Sequence, residues 1–315
     1  MSAHHVRLTI LVAAALIAAC GGSEKQPAPD TAVAKPAGPQ RVAEALGMKT
    51  PESARYDAAQ DLWFVSNING NPSQKDGNGF IVRLTADGVA MDSTPFIAGG
   101  AGGVTLNAPK GMALVGDTLW VADIDVVRAF NARTGAFIAS IDIKGAMFLN
   151  DMVAGPDGSV YITDTGVRFD ETGQMTHPGP DALVHVMGRQ YKTVTRFDHA
   201  PGPNGIAWDA ANGRFLMNAF ASTAFYSWKP GMAKPDSIGA GAGGGDGLEM
   251  LADGRALYTS WADSSLSVFA NGVSSTLMKG LPSPADIGVD TKRQRVAVPL
   301  FNDGKVIILT MNGRR

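Results

Sequence analysis

The 315-residue chain has a single cysteine, Cys20, so no disulfide can form within it. It shows no run of basic residues: 27 Lys and Arg stand against 29 Asp and Glu, a net charge of −2 with both signs scattered. Nothing in that pattern recommends a nucleic-acid partner. A Gly-x-Ser-x-Gly elbow is absent, which removes the usual serine-hydrolase nucleophile. The histidines His177, His185 and His199 follow no metal spacing such as His-Glu-x-x-His and are expected on loops or the surface. His177 falls on a long loop, from which it could touch a substrate. The glycine-rich run 239–247 lacks the Lys-Ser/Thr ending of a phosphate loop and reads as a connection between structural repeats.

What the sequence does have is repetition. Pro203-Asn204-Gly205-Ile206-Ala207-Trp208-Asp209 recurs in outline at 51–57, 109–114, 149–154, 245–250 and 284–289. Each copy opens on a turn residue or an apolar residue, continues with a polar or small one, and leads into a short apolar run. A second apolar run follows about ten residues later, at 63–66, 119–122, 160–163, 215–217, 257–260 and 296–298. Steps from Glu52 to Lys110, Asn150, Asn204, Asp246 and Ala285 are 58, 40, 54, 42 and 39 residues. A step near 40 built from short strands is the signature of a β-propeller blade, so the fold expected is an all-β, six-bladed β-propeller. The 38 glycines suit the many tight turns this requires.

The N-terminus is expected to be separate from the propeller. Arg7, the apolar run 8–19 and small residues before Cys20 read as a signal peptide over 1–19, too short to span a bilayer. Ile17-Ala18-Ala19-Cys20 resembles a bacterial lipobox, making Cys20 the expected lipidation site and membrane anchor. The Pro- and Ala-rich stretch that follows reads as a tether, giving segments 20–40 for the lipidated cysteine and tether and 41–315 for the propeller. This places the protein in a bacterial cell envelope, on the periplasmic side. Blade six shows only three obvious strands, so residues 41–48 are expected to supply its outer one and close the ring.

Turns between the first two strands of a blade are short, at 57–61, 155–158, 209–213, 252–254 and 290–294. Connections after the second strand are longer, notably 67–79 and 165–181. Those long loops fall on the face where inner strands begin, and binding residues belong there.

The inner strands of a propeller surround its axis, and the residues opening them form a column: Glu52, Lys110, Asn150, Asn204, Asp246 and Ala285, with Asp151 and Asp286 one place further. Four of the six offer side-chain oxygen. Mixed carboxylate and amide oxygens suit a hard divalent cation, with Ca²⁺ favoured over Mg²⁺ and other divalent ions open. Zinc is disfavoured, since neither Cys nor His is in the column. Two competing readings remain: Asn-Gly and Asp-Gly are turn dipeptides, and Lys110 could neutralise the carboxylates directly.

The early Glu52, Asn150-Asp151-Met152-Val153, Pro203-Asn204-Gly205-Ile206 and Gly245-Asp246-Gly247 resemble the SMP-30/gluconolactonase/LRE family of six-bladed propellers, over residues 50–311. The resemblance implies a calcium-dependent lactonase in which Glu52, Asn204 and Asp246 hold the metal. Asn150 would reach it directly, through water, or by binding substrate, and Asp151 matches an acidic position beside the site. Lys110 departs from the family pattern. If the cation is present, Asp246 and Asp151 are the candidate bases for activating water, and Lys110 either stabilises an oxyanion or balances charge. Polar ends of the second strands, Asn67, Asp123, Asp164 and Asn218, read chiefly as turn residues. Trp261 is expected as an apolar pocket wall, and Trp63, Trp120, Trp208 and Trp228 as blade packing. The expected function is hydrolysis of a small lactone or related ester; a non-catalytic ligand- or protein-binding propeller is the alternative.

Overall fold

A computed structural model describes residues 38–311. They lie in the unit Pro36–Arg315, the larger of two into which the chain divides. The signal peptide, Cys20 and most of the tether expected from the sequence lie outside the described residues. Among the described residues, no helix is long and apolar enough to cross a membrane.

The architecture is a six-bladed β-propeller. Each blade is a four-stranded sheet, and the first five run in simple sequence order from an inner to an outer strand. Inner strands are Pro51–Asp57, Pro109–Val115, Leu149–Ala154, Pro203–Asp209, Gly245–Met250 and Gly288–Asp290. Blade six takes its outermost strand from the N-terminal side: Gln40–Leu46 pairs antiparallel with Lys305–Thr310. The ring is thus closed by hydrogen bonds between chain ends, as the missing fourth strand required.

Burial follows the order of the strands. The second strand of blade one, Leu62–Asn67, is buried throughout, whereas outer strands such as Gln190–Arg196 are mostly exposed. A strand buried on both faces needs a continuous apolar run, and an outer strand does not. Core residues collect between blades rather than within them. Phe64 and Ile81 of blade one pack with Met112 and Phe130 of blade two. Tyr161 and Leu183 of blade three meet Phe215 and Trp228 of blade four. The last interface, between blades six and one, holds Ala297, Val306 and Ile308 against Ala54, Trp63 and Val65. Because burial lies between neighbours, no blade is complete until the ring is.

One irregularity repeats around the ring. In every blade the inner strand carries one more residue than its partner over the first few positions. Pro51 faces Asn67 but Ser53 faces Ser66, and Pro203 faces Ala219 but Ile206 faces Met217. The same surplus occurs between Pro109 and Met112, Leu149 and Met152, and Gly245 and Leu248. In blade six it falls between the bridge Pro284–Leu300 and the pair Gly288–Ala297. Such a bulge bends the strand and re-aims its side chains. Blade six is the most affected: its regular inner strand begins at Gly288 rather than Ala285, because Asp286 bridges instead to Ser53 of blade one.

Inner strands approach one another closely at these bulges. A Cβ added to Gly205 would lie 2.0 Å from the Asp246 carbonyl oxygen, and one on Gly247 2.4 Å from the Ile287 nitrogen. Neither position has room for a side chain. Gly205→Ala is therefore expected to destabilise the protein by about 3 kcal/mol through overpacking, read as a lowered urea midpoint, with Asp246 displaced by the same strain.

Candidate functional site

The repeated bulge sorts the opening residues into two columns. In the first, Glu52, Lys110, Asn150, Asn204 and Asp246 line a single cavity of about 540 Å³. Ala285, their counterpart in blade six, does not line it. Side chains separated by nearly two hundred residues of chain thus become neighbours, as the column predicted. The second column is Ser53, Gly111, Asp151, Gly205, Gly247 and Asp286, and it faces adjoining blades. Asp151, a candidate base from sequence, belongs here and is not among the residues lining the cavity. Its Oδ2 accepts the Ile206 N–H at 2.8 Å and its Oδ1 the Met152 N–H at 2.6 Å. Arg55 lies 3.8 Å from Asp151 and 3.7 Å from Asp286, and it also binds Glu249. Burial raises the carboxyls of Asp151 and Asp286 above the ordinary range, with Arg55 opposing.

The oxygen-bearing members of the first column share one property. Glu52 Oε2, Asn150 Oδ1, Asn204 Oδ1 and Asp246 Oδ1 are all buried without a hydrogen-bond partner. A buried unpaired polar atom costs about 1–3 kcal/mol, more when charged, so four together call for an explanation. In Asp246 and Asn150 the other polar atom of the side chain is held. Trp261 donates its indole N–H to Asp246 Oδ2 at 2.8 Å. The Asn150 amide donates to Thr165 Oγ1 at 2.9 Å, and that hydroxyl donates to the Pro203 carbonyl at 2.8 Å. These contacts leave Oδ1 of Asp246 and of Asn150 free. The sequence marked Trp261 as a wall, and a wall it is, but its hydrogen bond to Asp246 was not foreseeable from its apolar surroundings in the chain.

Burial dominates the protonation of both carboxyls. It raises Glu52 well above the ordinary carboxylate range, helped by the proximity of Asp246. Asp246 is pushed up to about 8, by burial first and then by Asp286, while hydrogen bonds from Trp261 and Asn204 act in the opposite sense. Two carboxylates and two amide oxygens are donors suited to a hard cation such as Ca²⁺, so the residues fit that group in chemistry. Among the described residues, no group of three or more His, Cys, Asp or Glu has a metal-binding arrangement; half of this set is amide.

Lys110 does not neutralise the pair directly. Its ammonium donates to the carbonyls of Pro72 and Ala108, both at 3.0 Å, and lies 4.2 Å from the centre of the Phe148 ring. Among the described residues it forms no ion pair with Glu52 or Asp246. Two of its three N–H donors are used in these contacts. Burial lowers its pKa to about 8, with Glu52 resisting.

The polar strand ends stabilise the approach to the inner strands. Asp123 accepts N–H bonds from Asn107 and Ala108, and Asp164 from Met147 and Phe148. Asn67 accepts from Lys49, and Asp181 does the same for Gly202. Each therefore fixes the backbone just before a first-column residue. Asn218 accepts the Gly205 N–H at 2.9 Å and donates to the Asp246 carbonyl at 3.0 Å, tying two column positions together.

The long loops meet over the cavity. The long loop 165–181 contains a small hairpin pairing Arg168–Phe169 with Met175–Thr176. Its Phe169 N–H donates to Ser73 Oγ, and Asn71 of loop 67–79 donates to the Asp170 carbonyl at 2.6 Å. His177 binds Asp181 Oδ1 at 2.6 Å and is not among the cavity-lining residues. His185 packs against the Tyr161 ring, with centroids 4.5 Å apart and the planes tilted by 37°.

A carboxyl with a folded-state pKa above its unfolded value of about 4 destabilises the fold when it must ionise. With chelator present, stability is therefore expected to be highest near pH 4 and to fall as pH rises toward 8. Asp246→Asn should reduce that slope, measured by thermal unfolding at pH 5 and pH 8.

Comparison with known proteins agrees with the geometry. The family model described as SMP-30/Gluconolactonase/LRE-like region matches residues 50–272, which contain Glu52, Asn150, Asn204 and Asp246. A search of curated proteins gives no match in sequence. Among solved structures, a gluconolactonase from Xanthomonas campestris has a TM-score of 0.64 at 14% identity, covering 87% of this chain and 89% of its own. A luciferin-regenerating enzyme has a TM-score of 0.63 at 11% identity, covering 87% and 95% respectively. A chain of a nidogen/laminin complex is more distant, with a TM-score of 0.56 at 16% identity over 73% of this chain and 80% of that one. At such identities the structures show a common fold, whereas the sequence model spans well over half of the chain. The chain belongs to the SMP-30/gluconolactonase/LRE-like family.

Proposed function

We propose that the protein is a Ca²⁺-dependent hydrolase of lactones or related esters. The observation that carries this reading is the set of four buried oxygens, on Glu52, Asn150, Asn204 and Asp246, left without partners around one cavity. A bound divalent cation would supply Lewis-acid polarisation of a substrate carbonyl oxygen. Glu52, Asn150, Asn204 and Asp246 would hold it, and their ionised carboxyls would then cease to repel one another.

The remaining work falls to the chain's own groups. Asp246 is the acidic residue of the cavity placed to activate water, and the Trp261 N–H fixes its orientation through Oδ2. Lys110 has one N–H left to donate to a substrate oxygen as charge develops there, its other contacts keeping the ammonium in place. Phe148 and the loop contact over the cavity restrict water near these groups. Asp151 orients the strands instead: it holds Ile206 and so the neighbouring Asn204. The family and the gluconolactonase neighbour support a lactonase-like reading on a small-molecule substrate.

Calcium is expected to bind with one site per chain by titration calorimetry, and chelator to abolish lactone hydrolysis until calcium is returned. Glu52→Gln should weaken calcium binding by at least tenfold. A protein that binds calcium tightly yet turns over no lactone, ester or phosphotriester would be a binding module instead.

The attachment proposed for the N-terminus rests on Ile17-Ala18-Ala19-Cys20. Cys20→Ser is expected to move the protein from the membrane to the soluble envelope fraction and to remove lipid mass from the mature N-terminus.

A further inference from the structure

A second ring of side chains surrounds the oxygen set, one residue beyond the end of each second strand. It comprises Ile68, Ile124, Thr165, Phe220, Trp261 and Phe301, following Asn67, Asp123, Asp164, Ala219, Ser260 and Leu300. Five of the six are apolar, and all but Ile124 line the cavity. Trp261 contacts Phe220 and Phe301, with centroid separations of 5.6 and 5.4 Å. Phe148 and Phe169 form another aromatic pair in the lining, 5.8 Å apart.

The polar side chains in the walls are already engaged. Asn71 donates to Asp170 and accepts from Ser73. Thr165 accepts from Asn150 and donates to Pro203. The Thr172 hydroxyl donates to Asp170, and the Asn302 amide donates to Ser283. Apart from the axial column, that leaves Glu171, exposed on the hairpin over the cavity, and the side-chain carbonyl of the exposed Asn302.

We infer that the cavity takes a lactone or ester carrying an apolar alkyl or aryl substituent and discriminates against polyhydroxylated lactones; the catalytic half of this inference rests on the hydrolase reading above. A hydroxyl moved from water to these walls loses its partners and finds few replacements. Aromatic faces also stack on sugar rings, but a stacked sugar still needs donors and acceptors around its edge. An alkyl tail needs none. Each methylene buried gains about fourfold in affinity or kcat/KM, and a cavity of about 540 Å³ has room for a six-membered ring and a tail.

The test uses the calcium-loaded protein with δ-lactones bearing hydrogen, propyl and heptyl substituents, and with D-glucono-δ-lactone. Two non-hydrolysable probes, a heptyl-substituted δ-lactam and the lactam of gluconic acid, are titrated in parallel by calorimetry. The expected result is a kcat/KM rising on the order of a hundredfold from the unsubstituted to the heptyl lactone, the gain from burying about three to four of the seven tail carbons, with the heptyl lactam at least tenfold tighter than the sugar lactam. Phe169→Ser and Phe301→Asn should each flatten that rise. A flat chain-length series, tighter binding of the sugar lactam, or binding of neither lactam would overturn the inference. Preferred binding of the heptyl lactam without turnover of any lactone would uphold the apolar specificity and remove the hydrolase reading alone.

Discussion

Six inner strands crowd the axis so tightly that successive residues at their openings meet different surroundings. In five of the six blades the extra residue at the opening turns one side chain into the cavity and the next against the adjoining blade. Glycine is required where the second meets backbone, as at Gly205 beside the Asp246 carbonyl and Gly247 beside Ile287. Where the second residue is larger, it makes an inter-blade bond: Asp151 to the Ile206 N–H, and Ser53 to Asp286. The geometry of the cavity and the cohesion of the ring are consequences of the same local irregularity. Hydrophobic burial between blades then makes the arrangement cooperative, because every interface depends on two neighbours being in register.

The site is built in layers along the axis. Arg55, with Asp151, Glu249 and Asp286, forms a partly buried charged layer in which three acids share one guanidinium. The cavity layer has two further carboxyls, and burial drives both toward the protonated form. Electrostatic cost is concentrated where the chain offers unpartnered oxygen, a pattern common at functional sites. Trp261 links this polar layer to the aromatic walls, since its ring packs on Phe220 and Phe301 while its N–H holds Asp246. A change in the walls therefore reaches the carboxylate.

Much of this was legible in the chain. Short strands at regular intervals announced the blades, and Glu52, Lys110, Asn150, Asn204 and Asp246 formed a visible column because a repeated fold repeats its axial position. The N-terminal closing strand followed from counting strands in blade six. Other features left no readable trace. Asp151 sits next to Asn150 and was as good a candidate base on spacing alone; only the bulge turns it toward Ile206. Lys110 shares the column with two carboxylates, yet its ammonium goes to Pro72 and Ala108 because the loop after blade one's second strand passes within reach. The ring of Ile68, Phe220, Trp261 and Phe301 did have a signal, one residue past each second strand. It was masked by the more obvious polar strand ends, most of which act by holding the backbone ahead of the next inner strand.

The sequence by itself determined the number of blades, the way the ring closes and, in five blades, the residues that open the inner strand, since all three follow from period and local turn chemistry. The tertiary structure decided which atoms of those residues are free. Partners such as Trp261 for Asp246 and Thr165 for Asn150 come from just past the neighbouring strand of the same blade, and Phe148 for Lys110 from the next blade. Hydrogen bonding and desolvation depend on distances of a few ångströms between such segments, and no local pattern in a chain encodes them.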